Sequence, residues 1–168
     1  LKMNNLFENT IIIVTSDHGE MLCSHGLWSK HVWFEEAVSV PFMLSHGERY
    51  KDKKITTPLS GADIAPTILS LLDLNIPHEM EGVDLSPTLK GEKVDNIAIS
   101  ACYTGNPKVL NNLKERGLDA LVYGWRAAID ERYTYVYFND YSGNDIPKEF
   151  LYDNLFLHEV HQASEITV

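Results

Sequence analysis

The sequence predicts an α/β fold in which the end of a parallel-rich sheet flanked by helices is followed by a small antiparallel sheet with one helix. Three observations predict it. The run Ile11-Ile12-Ile13-Val14, followed by Thr15, is β-branched and apolar without alternation, as in a buried parallel strand. From Ser60 to Leu72, Ile64, Ile68, Leu71 and Leu72 fall at i, i+4, i+7 and i+8, one apolar face of a helix. Beyond Asn96, short strand-like runs follow one another closely, as in an antiparallel sheet.

Each element follows in order. Residues 5–10 form a helix tail and turn before the first strand. Ser16 to His31 holds glycines, histidines and acids with neither strand nor helix period, so it reads as a long loop at that strand's carboxyl end. Phe34 to Ala37 forms a short helical turn, and Val38 to Leu44 a second buried strand with Pro41 near an edge or bulge. In the Ser60–Leu72 helix, Ser60 or Asp63 caps the start and Pro66 falls in the first turn, where its missing N–H costs nothing. Residues 81–89 lead into a short helix that stops at Gly91.

Ile97 to Cys102, Ala120 to Ile129, Tyr133 to Phe138 and Lys148 to Tyr152 are then strands, with a helix over Lys108 to Arg116 and a hairpin turn at Asp130-Glu131-Arg132. The division falls near Gly91 to Asn96, giving an α/β region over 1–95 and an antiparallel α+β subdomain over 96–168.

Composition narrows the function. The chain has 168 residues, 44% of them hydrophobic, and a formal net charge of -10. That charge opposes binding to nucleic acid or anionic lipid unless a basic patch concentrates elsewhere. Lys51-Asp52-Lys53-Lys54 is too short and interrupted for that and reads as a solvated turn. No apolar run approaches the roughly 20 residues of a membrane helix. Cys23 and Cys102 lack metal-finger spacing, so free thiols are expected and the compartment stays open.

The chemistry concentrates in Thr15 to His31. Ligands of α/β sheets gather at the carboxyl ends of strands. There Asp17 offers carboxylate oxygens, His18 an imidazole nitrogen and Lys30 a point charge for an anion. Adjacent side chains of a strand face opposite ways, so Asp17 and His18 can share an ion only where the chain leaves strand geometry, which Gly19 permits. Trp28 and Trp33 could wall a pocket, though packing is their first role. His25 and His31 are candidate substrate contacts, or a general acid in the case of His31; the alternative is a loop histidine bonded to a carbonyl. Glu20 either orients the metal ligands or is a solvated acid. Cys23 reads as a small buried thiol, and the alternating tyrosines 133, 135 and 137 as sheet packing.

The order of these blocks resembles the sulfatase family of the alkaline phosphatase superfamily. The resemblance runs from Asn9-Thr10-Ile11-Ile12-Ile13-Val14-Thr15-Ser16-Asp17-His18-Gly19-Glu20 through His25-Gly26-Leu27-Trp28-Ser29-Lys30-His31 to Phe34-Glu35-Glu36 and Val40-Pro41-Phe42. It continues at Asp63-Ile64-Ala65-Pro66-Thr67, Glu81-Gly82-Val83-Asp84-Leu85, Trp125-Arg126, Arg132-Tyr133 and Tyr152-Asp153. It implies an alkaline-phosphatase-like fold, truncated here to its C-terminal portion. It also implies sulfate-ester hydrolysis, with Asp17 and His18 as metal ligands and Lys30 on the sulfate. The family's usual cation is Ca2+, whereas an imidazole ligand by itself tilts toward Zn2+ or Mn2+; Mg2+ also remains open.

The family's formylglycine nucleophile arises in a Cys/Ser-x-Pro-x-Arg motif. Neither cysteine begins one, and Ser39-Val40-Pro41 is followed by Phe42-Met43 rather than x-Arg. The expectation is therefore an inactive fragment whose nucleophile lies upstream, acting in its parent on a small-molecule or carbohydrate sulfate ester. A truncated sheet edge is expected to favour self-association. The alternatives are a phosphonate or phosphate ester hydrolase of the same superfamily and a non-catalytic scaffold.

Overall fold

The structure is a computed structural model and describes residues 1–50, 53–103, 107–117, 124–139, 149–154 and 160–162. Two sheets organise it. In the first, β1 (Ile11–Thr15) pairs with β2 (Phe42–His46); in the second, β3 (Ala98–Tyr103), β4 (Gly124–Ile129), β5 (Tyr133–Asn139), β6 (Glu149–Asp153) and β7 (Val160–Gln162) stand in sequence order. Among the described residues four α-helices accompany them: α1 (Glu35–Val38), α2 (Gly61–Leu71), α3 (Ser86–Leu89) and α4 (Pro107–Glu115). Mixed α/β structure with a following antiparallel sheet is thus the fold. No helix among the described residues is long and apolar enough to cross a membrane.

The second sheet follows from its sequence pattern. Trp125, Ala127 and Val136 are buried on one face, where alternate residues of neighbouring strands meet, and Phe138, Phe150 and Tyr152 pack against them. Residues Asp130 to Arg132 close the β4–β5 hairpin: the Asp130 carboxylate accepts from the N–H groups of Arg132 and Tyr133, and the Asp130 N–H donates to the Tyr133 carbonyl. The predicted strand and helix positions of this second half hold to within a residue or two where described. The expected strand residues 120–123 and 148, and turn residues 51 and 52, lie outside the described residues.

Three local expectations are corrected. First, β1 pairs antiparallel with β2, from Ile11 opposite His46 to Thr15 opposite Phe42. Its residues are half-buried or exposed rather than buried. An apolar run encodes burial and β propensity, but not the direction of the neighbouring strand. Direction is set by the connection: residues 16–41 leave and re-enter at the same end of the pair, with only a 3-10 turn at Ser24–Gly26 and the four-residue α1 inside. Second, β2 begins at Phe42, because residues 35–38 are still helical and Pro41 lies before the strand.

Third, Pro66 sits beyond the first turn of α2, which starts at Gly61. It cannot donate to the Ala62 carbonyl, four residues earlier. Gly82 packs against that carbonyl so closely that a Cβ there would lie 2.0 Å from the oxygen. The predicted apolar stripe of α2 is only half-buried, Leu72 is exposed, and the buried residues are Asp63, Pro66 and Thr67. Asp63 ties the segment together. Its carboxylate accepts from Ser60 N–H and Oγ, Val83 N–H and Asn96 Nδ2. Burial alone would raise the Asp63 carboxyl, but the hydrogen bonds outweigh it and hold the group below the ordinary carboxylate value.

Candidate active site

The loop of residues 16–41 folds back on itself through nested main-chain bonds. Gly19 N–H donates to Ala37, Met21 N–H to Ser29 and Cys23 N–H to Leu27. Met21, 1% exposed, fills the inside of the fold-back. Gly19 is required by contact: a Cβ there would stand 2.0 Å from the Glu36 carbonyl oxygen. Leu22, Cys23, His25 and Ser29 all adopt positive φ, from 44 to 76°. Such a conformation in non-glycine residues costs on the order of 1–2 kcal/mol each, so the loop relies on outside contacts for its shape.

This fold-back collapses the separation between Asp17 and Lys30. Lys30 Nζ lies 2.6 Å from His18 Nε2, and His18 Nε2 lies 3.4 Å from Asp17 Oδ2. His18 Nδ1 is 2.8 Å from the Gly19 carbonyl oxygen. A carbonyl only accepts, so Nδ1 carries the hydrogen and Nε2 accepts from the Lys30 ammonium, with the Asp17 carboxylate close by. Asp17 is open to solvent, its side chain 84% exposed. Electrostatic attraction to the His18 ring beside it, with hydrogen bonds from the His18 N–H and Ser16, holds its carboxyl below the ordinary value.

Those residues suit a cation in one respect that the structure displays directly. The Nδ1–H to carbonyl bond fixes the tautomer in which Nε2 carries a lone pair, which here meets the Lys30 ammonium, and that nitrogen lies beside a solvent-open carboxylate. They do not form a full cage. Among the described residues no group of three or more His, Cys, Asp or Glu side chains is placed to hold a metal.

The other candidates separate into distinct surroundings. His25 stacks on Phe34, with centroids 4.1 Å apart, and its Nε2 lies 3.6 Å from Glu36 Oε1. His31 Nδ1 is 3.9 Å from Cys102 Sγ, and the His31 carbonyl accepts from the Trp125 indole at 3.0 Å. Trp28 is 73% exposed, whereas Trp33 is packed between the loop and the second sheet. Glu20 is neither solvated nor paired at Oε1, which is buried without a hydrogen-bond partner. Cys23 is exposed, contrary to the buried thiol expected; its left-handed conformation at a turn carries it outward. Burial pushes the Cys102 thiol up, away from the reactive thiolate.

Sequence reasoning did not identify Trp125 as a neighbour of this loop. Its adjacency to Arg126 gave no indication that its N–H reaches a carbonyl 94 positions earlier.

Comparison with known proteins bears on the class. The Sulfatase family profile matches residues 1–74. The chain is 30% identical to an endo-4-O-sulfatase of Bacteroides thetaiotaomicron over 163 residues, 92% of this chain and 31% of that protein. It is 38% identical over 89 residues to an ulvan-active sulfatase of Formosa agariphila, 51% of this chain and 17% of the relative. Among solved structures, the phosphonate monoester hydrolase of Agrobacterium radiobacter superposes with a TM-score of 0.73 at 26% identity, covering 91% of this chain and 30% of that one. The chain thus spans less than a third of each of these proteins. It belongs to the sulfatase family.

Proposed function

We propose that this chain supplies the metal-and-anion wall of a sulfate-ester hydrolase, in which Asp17 and His18 hold a divalent cation and Lys30 contacts the sulfate oxygens. The observation that carries the reading is the meeting at His18 Nε2 of the Asp17 carboxylate and the Lys30 ammonium. A bound cation would neutralise the sulfate and lower the barrier to attack on sulfur. Calcium is the cation that the family resemblance favours.

The chain's own groups have separate tasks. Lys30 offers a point charge to developing negative charge on sulfate oxygen. His31, with Nδ1 beside Cys102, keeps Nε2 as the nitrogen suited to move a proton to a leaving alcohol. His25 and Trp28 are proposed substrate contacts. The substrate class is a sulfated carbohydrate, in line with the ulvan-active and endo-4-O-sulfatase relatives. No Cys/Ser-x-Pro-x-Arg motif occurs in the 168 residues, so a formylglycine nucleophile would come from outside them. The isolated chain is accordingly inactive, and it self-associates through the open edge of the first sheet.

Calorimetry with Ca2+ and with Mn2+ tests the metal assignment: Asp17→Ala should abolish the binding heat, and unchanged heat would overturn it. Hydrolysis of an aryl sulfate by the chain alone would overturn the external nucleophile. The phosphonate monoester hydrolase likeness favours a second reading, hydrolysis of a phosphonate or phosphate ester. Competition of sulfate against methylphosphonate at Lys30 separates the two, with the preferred anion marking the reaction.

A further inference from the structure

We infer that Trp125 is a positioning residue for Lys30: its indole N–H, set in the core of the second sheet, fixes the main chain one residue beyond the lysine and thereby the place of the ammonium. The inference rests on the reading of Lys30 as the anion contact. It adds a residue from the far sheet to a site otherwise built from one loop.

The anchor is rigid. Trp125 is 5% exposed and belongs to the core cluster with Ala127 and Val136. β4 comes close to β3 at this end because Gly124, at φ 122°, has no Cβ; one would stand 2.0 Å from the Cys102 carbonyl oxygen. Cys102 is directly opposite Trp125 in the sheet register. That pair holds His31 at two points, the indole at its carbonyl and the thiol beside its ring.

A second attachment lies two residues along. Trp33 donates its indole N–H to Tyr152 at 2.8 Å, meets Trp125 edge-on and stacks on Phe150. Burial pushes the Tyr152 phenol up, so it remains neutral and able to accept. On its other side, Lys30 follows Ser29, whose φ of 76° is unfavourable and whose carbonyl accepts from Met21. Lys30 therefore sits between a strained residue and a fixed one. Loss of the fixed point lets the strained turn relax and carries the ammonium off its line.

The test is a sulfate titration of the full chain, followed through the Lys30 side-chain NMR signal and, in variants lacking that lysine, through backbone amide signals of residues 16–31. Trp125→Phe should weaken sulfate binding by about tenfold, the worth of one charge-assisted contact. The same substitution in a Lys30→Gln background should change it by less than about twofold. A purely structural role would lower the melting temperature and weaken sulfate equally in both backgrounds, which would overturn the inference.

If Lys30→Gln itself leaves sulfate affinity unchanged, the anion-contact reading fails. Positioning is then judged without sulfate, from the His18 Nε2 resonance, which Lys30 Nζ touches at 2.6 Å. Movement of that resonance in Trp125→Phe toward its Lys30→Gln position supports the inference, and a wild-type position overturns it. Should Trp125→Phe fail to fold, benzothienylalanine at position 125 keeps the bicyclic shape without the N–H, and the same outcomes apply.

Discussion

Around Val136, which is fully buried, the second sheet gathers Trp125, Ala127 and several aromatic rings into one contiguous apolar cluster. Among the described residues of the first 95, the buried apolar side chains are Met21, Ala37, Pro66 and Leu85, dispersed along the chain, while Val14, Met43, Leu72 and Leu74 are half or more exposed. What orders this region is polar and main-chain: the Asp63 hub, the nested bonds of the site loop, and glycines pressed on carbonyls. The difference teaches that the sheet is ordered by its own apolar packing, and the site loop by main-chain bonds within itself together with anchors from the second sheet. Trp125, Trp33 and Val38 are where one region supports the other.

The contrast is broken most severely by removing the shared anchor. Trp125→Ala deletes a buried ring from the cluster together with the bond to His31, and should cost about 3–5 kcal/mol in urea unfolding. Asp63→Asn comes next, at about 2–3 kcal/mol, since charge-assisted hydrogen bonds are weakened at a buried site. Its pH signature has a definite sign. The folded carboxyl lies below its unfolded value of 3.8, so its contribution is present above that value and is lost as pH falls through the folded one. The acid limb of the stability curve should flatten in Asp63→Asn, and a limb identical to wild type would count against the hub.

Gly19→Ala sharpens the comparison from the other side. The new Cβ meets the Glu36 carbonyl, a main-chain atom that can shift only by moving α1. A cost of about 1–3 kcal/mol is expected. Because the clash separates the strand end from the loop's return, the Lys30 to His18 contact should be lost as well, visible as a shift of the His18 ring nitrogens. Full stability with an unchanged ring signal would mean that the loop is not closed against α1.

These effects indicate which parts of the molecule were legible in the sequence. The second sheet was, because its residues alternate and Asp130-Glu131-Arg132 carries turn chemistry: Ile97 to Cys102 anticipates β3 within one residue. Asp17, His18 and Lys30 were singled out by chemical type and position, and the structure brings the three together. The fold-back that joins them was not legible, because Leu22, Cys23, His25 and Ser29 take a conformation for which their side chains give no sign. The sense of β1 was hidden for a different reason, since Ile11 to Thr15 would look the same beside either kind of neighbour. The Trp125 anchor was hidden by distance along the chain, as a hydrogen bond across 94 positions has no local pattern.

The smallest expected effect lies on the first sheet. Met43 is 58% exposed and stands opposite Val14, itself 50% exposed, so truncation removes few buried contacts. Met43→Ala should therefore change stability by less than about 0.5 kcal/mol, against several for the buried tryptophan. Measurement at two protein concentrations makes the comparison sharper. Self-association over this strand pair would give a larger cost at the higher concentration only, because a copy that covers Met43 stabilises the folded chain by mass action. A cost that is large at both concentrations would mean that this region is packed more tightly than its exposed apolar side chains imply. The contrast with the second sheet would then fail at its weaker side.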